Sequence, residues 1–268
     1  MNFVVALHAE AKPIIDHLGL TKHPLPSPFA LFSDETYQLV VSGMGKQNIA
    51  HAVSFLHGRI TCKNLPWLNV GLAGHGNAPL GEAFQIAKFT DQQNEQTGYP
   101  PQVFTTPLLK AFLKTCNQPS MEYHLNTAYD MEGSAFFESA YRYSNTELVQ
   151  SIKIISDNPQ NPVSHFDKSL VHSLISPQVP KIVSLSKEMI RAAKEISAPS
   201  EIETLFTEIN QIHTLTETQK HQIKKAIRHG KIVGISDSQI RKLAHSERNA
   251  KELIFKLNQK LEEKNLYS

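Results

Sequence analysis

Hydrophobic and polar positions follow two different patterns along this chain. Up to about residue 160, short apolar runs alternate with segments of helical spacing. "FVVAL" (3–7), "YQLVV" (37–41), "WLNVGLA" (67–73), "AFQIAKF" (83–89) and "VQSIKII" (149–155) predict strands. Several are apolar almost throughout, the pattern of strands covered by helices on both faces. Segments 9–18, 46–57 and 132–143 predict helices, each close behind a strand as βα units require. Segment 106–114 is a further helix candidate.

From about residue 164 the strand-like runs stop. A helix over 179–196 can still pack on the sheet. A Ser/Pro break follows in "SAPSE" (197–201), then helical stretches over about 201–212, 216–229 and 236–264. Thr216 with Gln219 and Ser236 with Gln239 match the capping box, in which a hydroxyl accepts from first-turn amides and the Gln reaches back. Gly230 and Gly234 suit a helix stop and the turn after it. Ile240, Leu243, Glu247, Ala250, Ile254, Leu257 and Leu261 would form a seam on one long helix, packed on its own domain or on a partner helix. The expected division is an α/β domain over residues 1–197 and an all-helical extension over 198–268.

Composition narrows the class. With 40% hydrophobic and 19% charged residues, the chain is an ordinary globular one. The formal net charge of +2 gives no pointer to nucleic acid. Cys62 and Cys116 have no metal-ligand spacing and make no disulfide framework, so a reducing cytoplasmic setting is the default. The N-terminal apolar run lacks the length and basic flank of a signal peptide. No apolar run reaches the roughly 18 residues that span a bilayer, so no membrane association is expected. The charge is uneven: Lys220 to Lys264 holds twelve basic and five acidic residues. That reads as a solvated helix face or as a surface open to an anionic partner.

The candidate chemistry lies at strand ends. "SIKIISDNP" (151–159) stops an apolar strand on Ser156-Asp157, and Ile-Ser-Asp returns at 235–237. The second copy belongs to a capping box, where Asp237 is a first-turn acid favoured by the helix dipole. Asp157 instead ends a buried strand, the edge of an open α/β sheet where ligands bind. Glu10 follows "FVVAL", and Glu132 lies in "YDMEGSAFF". Both also read as helix-start acids. "SGMGK" (42–46) and "GLAGHG" (71–76) supply glycine turns where backbone can approach a ligand. Neither is a Walker A loop, and Gly71-x-x-Gly74-x-Gly76 reverses the dinucleotide spacing. His8 and His75 beside these turns read as structural, and Lys46 as a first-turn residue facing solvent or a carboxylate.

In their order, "ALHAEAKPII", "VSGMGKQNIA", "LNVGLAGHGNAPLGEAF", "YDMEGSAFFESA" and "IKIISDNP" resemble the nucleoside phosphorylase superfamily. They look closest to its methylthioadenosine/S-adenosylhomocysteine nucleosidase branch. The resemblance covers residues 3 to 159, with 179–196 similar to the family's closing helix. It implies a central mixed sheet with flanking helices, no metal or redox cofactor, a small nucleoside substrate and a homo-oligomer, usually a dimer. It also implies roles. Asp157, helped by the turn at Ser156, would protonate the leaving base, and Glu10 would activate water. Glu132 would hold the ribose hydroxyls with Met131 against the sugar, and Met44, Ala73 and Gly74 would line the pocket. These residue types suit the chemistry. A purine leaves well only when protonated, and the oxocarbenium-like sugar needs water and a base on its other face.

The chain departs from the family at three points. Leu72 stands where a Ser or Thr often lies near the water or phosphate site. Of the arginines, only Arg59 and Arg142 lie in the first 160 residues, outside every motif, which favours hydrolysis over phosphorolysis. The segment before "MEG" that carries a base-stacking aromatic is shortened to "TCNQPSMEYHLNTAY" (115–129), leaving Phe104, Tyr123 or Tyr129 as replacements. That shortening keeps open a non-catalytic nucleoside-binding module whose basic tail contacts a partner.

Overall fold

A computed structural model of the chain describes residues 1–59, 64–120, 123–162, 167–197 and 201–265. Cys62 and the Ser/Pro break at 198–200 lie outside them. Two compact units divide the chain, Met1–Ser197 and Ala198–Ser268.

Unit 1 runs β1 (Asn2–Val5), α1 (His8–Leu18), β2 (Thr21–Lys22), β3 (Ala30–Ser33), β4 (Gln38–Val41), α2 (Lys46–Gly58), β5 (Trp67–His75) and β6 (Ala83–Asp91). It continues through β7 (Thr97–Gly98), β8 (Leu109–Thr115), β9 (Thr127–Asp130), α3 (Gly133–Ala140), β10 (Val149–Asp157), α4 (Lys168–Ile175) and α5 (Val179–Ser197). The strands form one mixed sheet in the order β10-β6-β8-β9-β5-β1-β4-β3-β2, with β7 on β6. Strand β10 also pairs with β5, so β5, β9, β8, β6 and β10 close into a ring.

Strand alternation builds two cores. Phe3 and Val5 of β1 point into one with Ile14 of α1 and Ile182 and Met189 of α5. Val4 points into the other with Val53 and Leu56 of α2 and Phe136 of α3. The runs apolar almost throughout are therefore buried on both faces, as β5 and β10 are along nearly their whole length.

Two expectations need correction. Segment 106–114 is not a helix. Leu109–Thr115 is β8, parallel to β6 and β9, and only Ala111, Leu113 and Thr115 point inward. Leu, Lys and Ala suit a helix locally, and pairing on both edges overrides that preference. The 236–264 helix is two helices. Unit 2 consists of α6 (Glu201–Ile212), α7 (Glu217–Ile232), α8 (Asp237–Ser246) and α9 (Ala250–Asn265). It has its own core, in which Leu205, Ile209, Ile227, Ile240, Leu253 and Leu257 meet. Both capping boxes form as the sequence predicts, at Thr216 and Ser236. Glu247 is extended, and Asn249 Oδ1 accepts from the Lys251 and Glu252 amides at 3.0 Å to start α9. The seam residues therefore fill the unit's own core instead of one continuous helix face.

Lys153 sits in the middle of β10, opposite Gly71 of β5, and is 1% exposed. Its ammonium pairs with Asp130 of β9 at 2.8 Å. Asp130 also accepts from Thr115 Oγ1 and from the Gly133 amide, each at 2.7 Å. A buried charge is tolerated only when paired and hydrogen-bonded in this way. Lys153→Met would leave the Asp130 carboxylate buried without its cation. We expect a loss of about 3–5 kcal/mol in urea-unfolding stability. The double variant with Asp130→Asn is expected to recover much of it.

Candidate active site

Strand β5 changes neighbours partway along. Its first half lies between β1 and β10, and from Gly74 it pairs with β9 instead of β1. The strand ends splay at this switch, and a cavity of about 540 Å³ opens there. Glu10, Met44, Ala73, Gly74, Met131, Glu132, Ser156 and Asp157 all line it, so every site residue expected from the sequence is brought together. Leu72, Tyr123 and Tyr129 line it too.

Glu10 stands in the first turn of α1. Its Oε2 accepts from the Leu7 amide and its Oε1 from the Leu72 amide, both at 2.9 Å. One carboxylate thus both caps the start of α1 and lines the cavity. Leu72 contributes through its backbone N–H, so the missing Ser or Thr side chain does not leave Glu10 unanchored. Burial pushes the Glu10 pKa up to about 7, against the two amides and the Lys153 charge. The point a Cβ would occupy at Gly71 is 3.4 Å from Lys153 Nζ and 3.6 Å from Glu10 Oε1. Cation and carboxylate thus flank one position on β5.

Glu132 starts α3, and its Oε1 accepts from the Gly45 amide at 2.6 Å. Gly43 and Gly45 have φ of 84° and 94°, a left-handed backbone that favours glycine and aims this amide at the carboxylate. Burial, then the charge of Asp130, raises the Glu132 pKa. Burial alone would lower the Lys153 pKa, yet Asp130 and Glu132 hold it above the ordinary lysine value. Lys153 is the residue that sequence reasoning missed. Its signal was a single cation inside an apolar strand.

Asp157 ends β10 opposite Gly74, after a bulge at Ser156. Its Oδ1 accepts from Ser156 Oγ at 2.5 Å, and its Oδ2 from the Tyr123 hydroxyl. Burial and then this bond raise the Tyr123 pKa, so the phenol keeps its proton across the physiological range. Tyr123 and Tyr129 meet edge to face, ring centroids 5.2 Å apart. Of the three aromatic candidates, these two line the cavity, and Phe104 packs on the hydrophobic core. A Cβ on Gly74 would lie 2.6 Å from Tyr123 Cε1 and 2.7 Å from Asp157 Oδ2, so the bare backbone there makes room for both.

The structural readings of other polar residues hold. His75 stacks on Phe84 and accepts from the Asn77 and Ala78 amides through Nδ1. Lys46 pairs with Asp91 at 2.9 Å. Among the described residues there is no cluster of His, Cys, Asp and Glu fit to hold a metal. No helix there is long and apolar enough to cross a membrane.

The Glu10 shift links to stability. A carboxyl held at about 7 in the fold against 4.5 when free favours the folded state while protonated. That contribution is complete below pH 4.5 and is lost as pH rises to about 7, roughly 1.4 kcal/mol per pH unit. Unfolding titrations of wild type and Glu10→Gln should therefore diverge in slope across this window and run parallel above it.

No protein-family model matches the chain, and no curated protein matches it by sequence. Solved structures do match it. The 5′-methylthioadenosine/S-adenosyl homocysteine nucleosidase of Campylobacter jejuni is 14% identical, with 70% of this chain and 98% of that one covered at a TM-score of 0.55. The apo 5′-methylthioadenosine nucleosidase of Arabidopsis thaliana is 16% identical, with 72% and 94% covered at 0.53. A futalosine hydrolase mutant of Helicobacter pylori is 12% identical, with 70% and 98% covered at 0.51. At such identities the likeness is one of fold, and the fold is the nucleoside phosphorylase-like α/β architecture that the motif order implied.

Proposed function

We propose that residues 1–197 form a catalytic domain that hydrolyses the N-glycosidic bond of a purine nucleoside, with adenine the preferred base. One observation carries this reading. Glu10, Glu132 and Asp157 converge on a single cavity, each held by donors that fix its direction. Binding alone needs no such trio, whereas glycosidic cleavage needs an acid and a base on opposite faces of the sugar.

Asp157 would donate its proton to the leaving base, with the Ser156 and Tyr123 hydroxyls holding its two oxygens in place. A hydroxyl can donate or accept, so this pair can follow Asp157 between its charged and neutral forms. The purine would lie beside Tyr123 and Tyr129. Glu132 would hold the ribose hydroxyls, with Met131 and Met44 against the sugar. As the base leaves, positive charge develops on the sugar, and the carboxylates of Glu10 and Glu132 stabilise it in a water-poor site. Glu10 would then take a proton from the attacking water. A base with a pKa near the working pH suits this step, and burial of Glu10 supplies that value. Lys153 would keep the surplus of negative charge affordable until substrate arrives.

None of the arginines lines the cavity, and Arg59 is bonded instead to His23 at 3.0 Å. That favours water over phosphate as the acceptor.

The test is release of free base from methylthioadenosine, S-adenosylhomocysteine, adenosine and inosine, followed by chromatography with and without phosphate. Phosphate-independent release is expected. A requirement for phosphate would move the chain to phosphorolysis, and no release from folded protein would favour a binding module. Glu10→Gln and Asp157→Asn should each lower kcat by ~10²–10⁴-fold while leaving substrate affinity within a few-fold. Glu10 must be ionised to act, so kcat should rise with pH through about 7 and then level off, and this limb should vanish in Glu10→Gln.

A further inference from the structure

Met44 and Met131 line two cavities. One is the cavity of Glu10, Glu132 and Asp157, and the other is a neighbouring space of about 500 Å³. The wall of this second space facing the methionines is polar. It is made by Lys46 at the start of α2, Gln93 in the turn after β6, and Asn117 after β8.

These three side chains are tied into one wall. Gln93 Oε1 accepts from Asn117 Nδ2 at 3.2 Å and from Lys46 Nζ at 3.5 Å. The Lys46 charge is answered by the buried Asp91 carboxylate, which also accepts from Ser134 Oγ at 2.7 Å and from the Gln93 amide at 2.8 Å. The wall is thus held from beneath and has no unpaired cation of its own. Among the described residues, Gln93 Nε2 and Asn117 Oδ1 join no hydrogen bond. One donor and one acceptor are left facing a ligand or water. Between this wall and the first cavity, Met44 is 58% exposed, so its flexible thioether chain has apolar surface to offer.

The order of groups fixes what can reach this space. With the base at Asp157 and the ribose hydroxyls at Glu132, the 5′ carbon is the sugar position left to point past the methionines. An arm attached there would lie along Met44 and Met131 and end at Gln93 and Asn117. A methylthio group offers that wall nothing to bond. A 5′-phosphate brings two negative charges to a lysine already neutralised by Asp91. An α-amino acid head suits it, since its carboxylate accepts from Gln93 and its ammonium donates to Asn117.

We infer that the second cavity holds the 5′ substituent of the substrate, that this substituent is an apolar arm ending in a zwitterionic amino acid head, and that Gln93 and Asn117 select it. The inference rests on the nucleosidase reading for the orientation of the nucleoside.

The test compares kcat/KM for S-adenosylhomocysteine, methylthioadenosine and adenosine 5′-monophosphate. Wild type should favour S-adenosylhomocysteine over each of the others by at least about tenfold, the size of one or two hydrogen bonds. Gln93→Leu with Asn117→Leu should lower kcat/KM for S-adenosylhomocysteine by about tenfold and leave methylthioadenosine within about twofold. Unchanged methylthioadenosine turnover also shows that the double variant is folded. The inference is overturned if wild type cleaves methylthioadenosine or the monophosphate as well as S-adenosylhomocysteine, or if the double variant lowers all substrates equally or none. Calorimetric Kd values for the same three compounds separate this result from the fate of the nucleosidase reading. If nothing is cleaved, tighter binding of S-adenosylhomocysteine that is lost in the double variant upholds the arm site and removes only hydrolysis. Equal binding of all three, or none, overturns the arm site as well.

Discussion

The buried pair between Lys153 and Asp130 is the constraint around which unit 1 is arranged. It joins β10 to β9 across the strand that lies between them, β5. An ammonium this deep is sustained only by its carboxylates, and the Asp130 carboxylate in turn by Thr115 and Gly133. With the pair in place, Asp130 ends β9 so that α3 starts three residues later, at Gly133, with Glu132 as its N-cap. Glu132 then faces the same space as Glu10. The cavity carboxylates Glu10 and Glu132 thus stand beside an ion pair whose own Asp130 lines the same cavity.

The same pair sets the electrostatics of the cavity. Glu10, Glu132 and Asp130 share one nearby cation. Burial raises the Glu10 and Glu132 pKa values by desolvating their charged forms, and repulsion from a neighbouring carboxylate adds to it in each case. Asp157 lines the same cavity from the end of β10 and is tied to hydroxyls.

The resemblance rested on strand-end motifs, and those were legible because each has a local cause. Glu10 follows a buried strand and begins a helix. Gly43 and Gly45 mark a left-handed turn. Ser156-Asp157 stops an apolar run. Lys153 was harder to read, since a single lysine in "SIKII" carries no sign of its partner 23 residues earlier in the chain. The error at 109–115 has a related cause. Helix-forming residues there are held as a strand by β6 and β9, and no local pattern encodes those neighbours.

By itself the sequence determined the alternation of strand and helix in the first half, the capping boxes and helical texture of the second, and the residue types available for chemistry. These follow from propensity, periodicity and hydrogen bonds between residues close along the chain. Only the tertiary structure decided that β5 changes partners at Gly74, that a lysine sits between carboxylates, that Tyr123 reaches Asp157, and that residues 247–249 break the last helix. Each depends on groups distant in sequence meeting in a buried or tightly packed setting, where desolvation and pairing outweigh local preference.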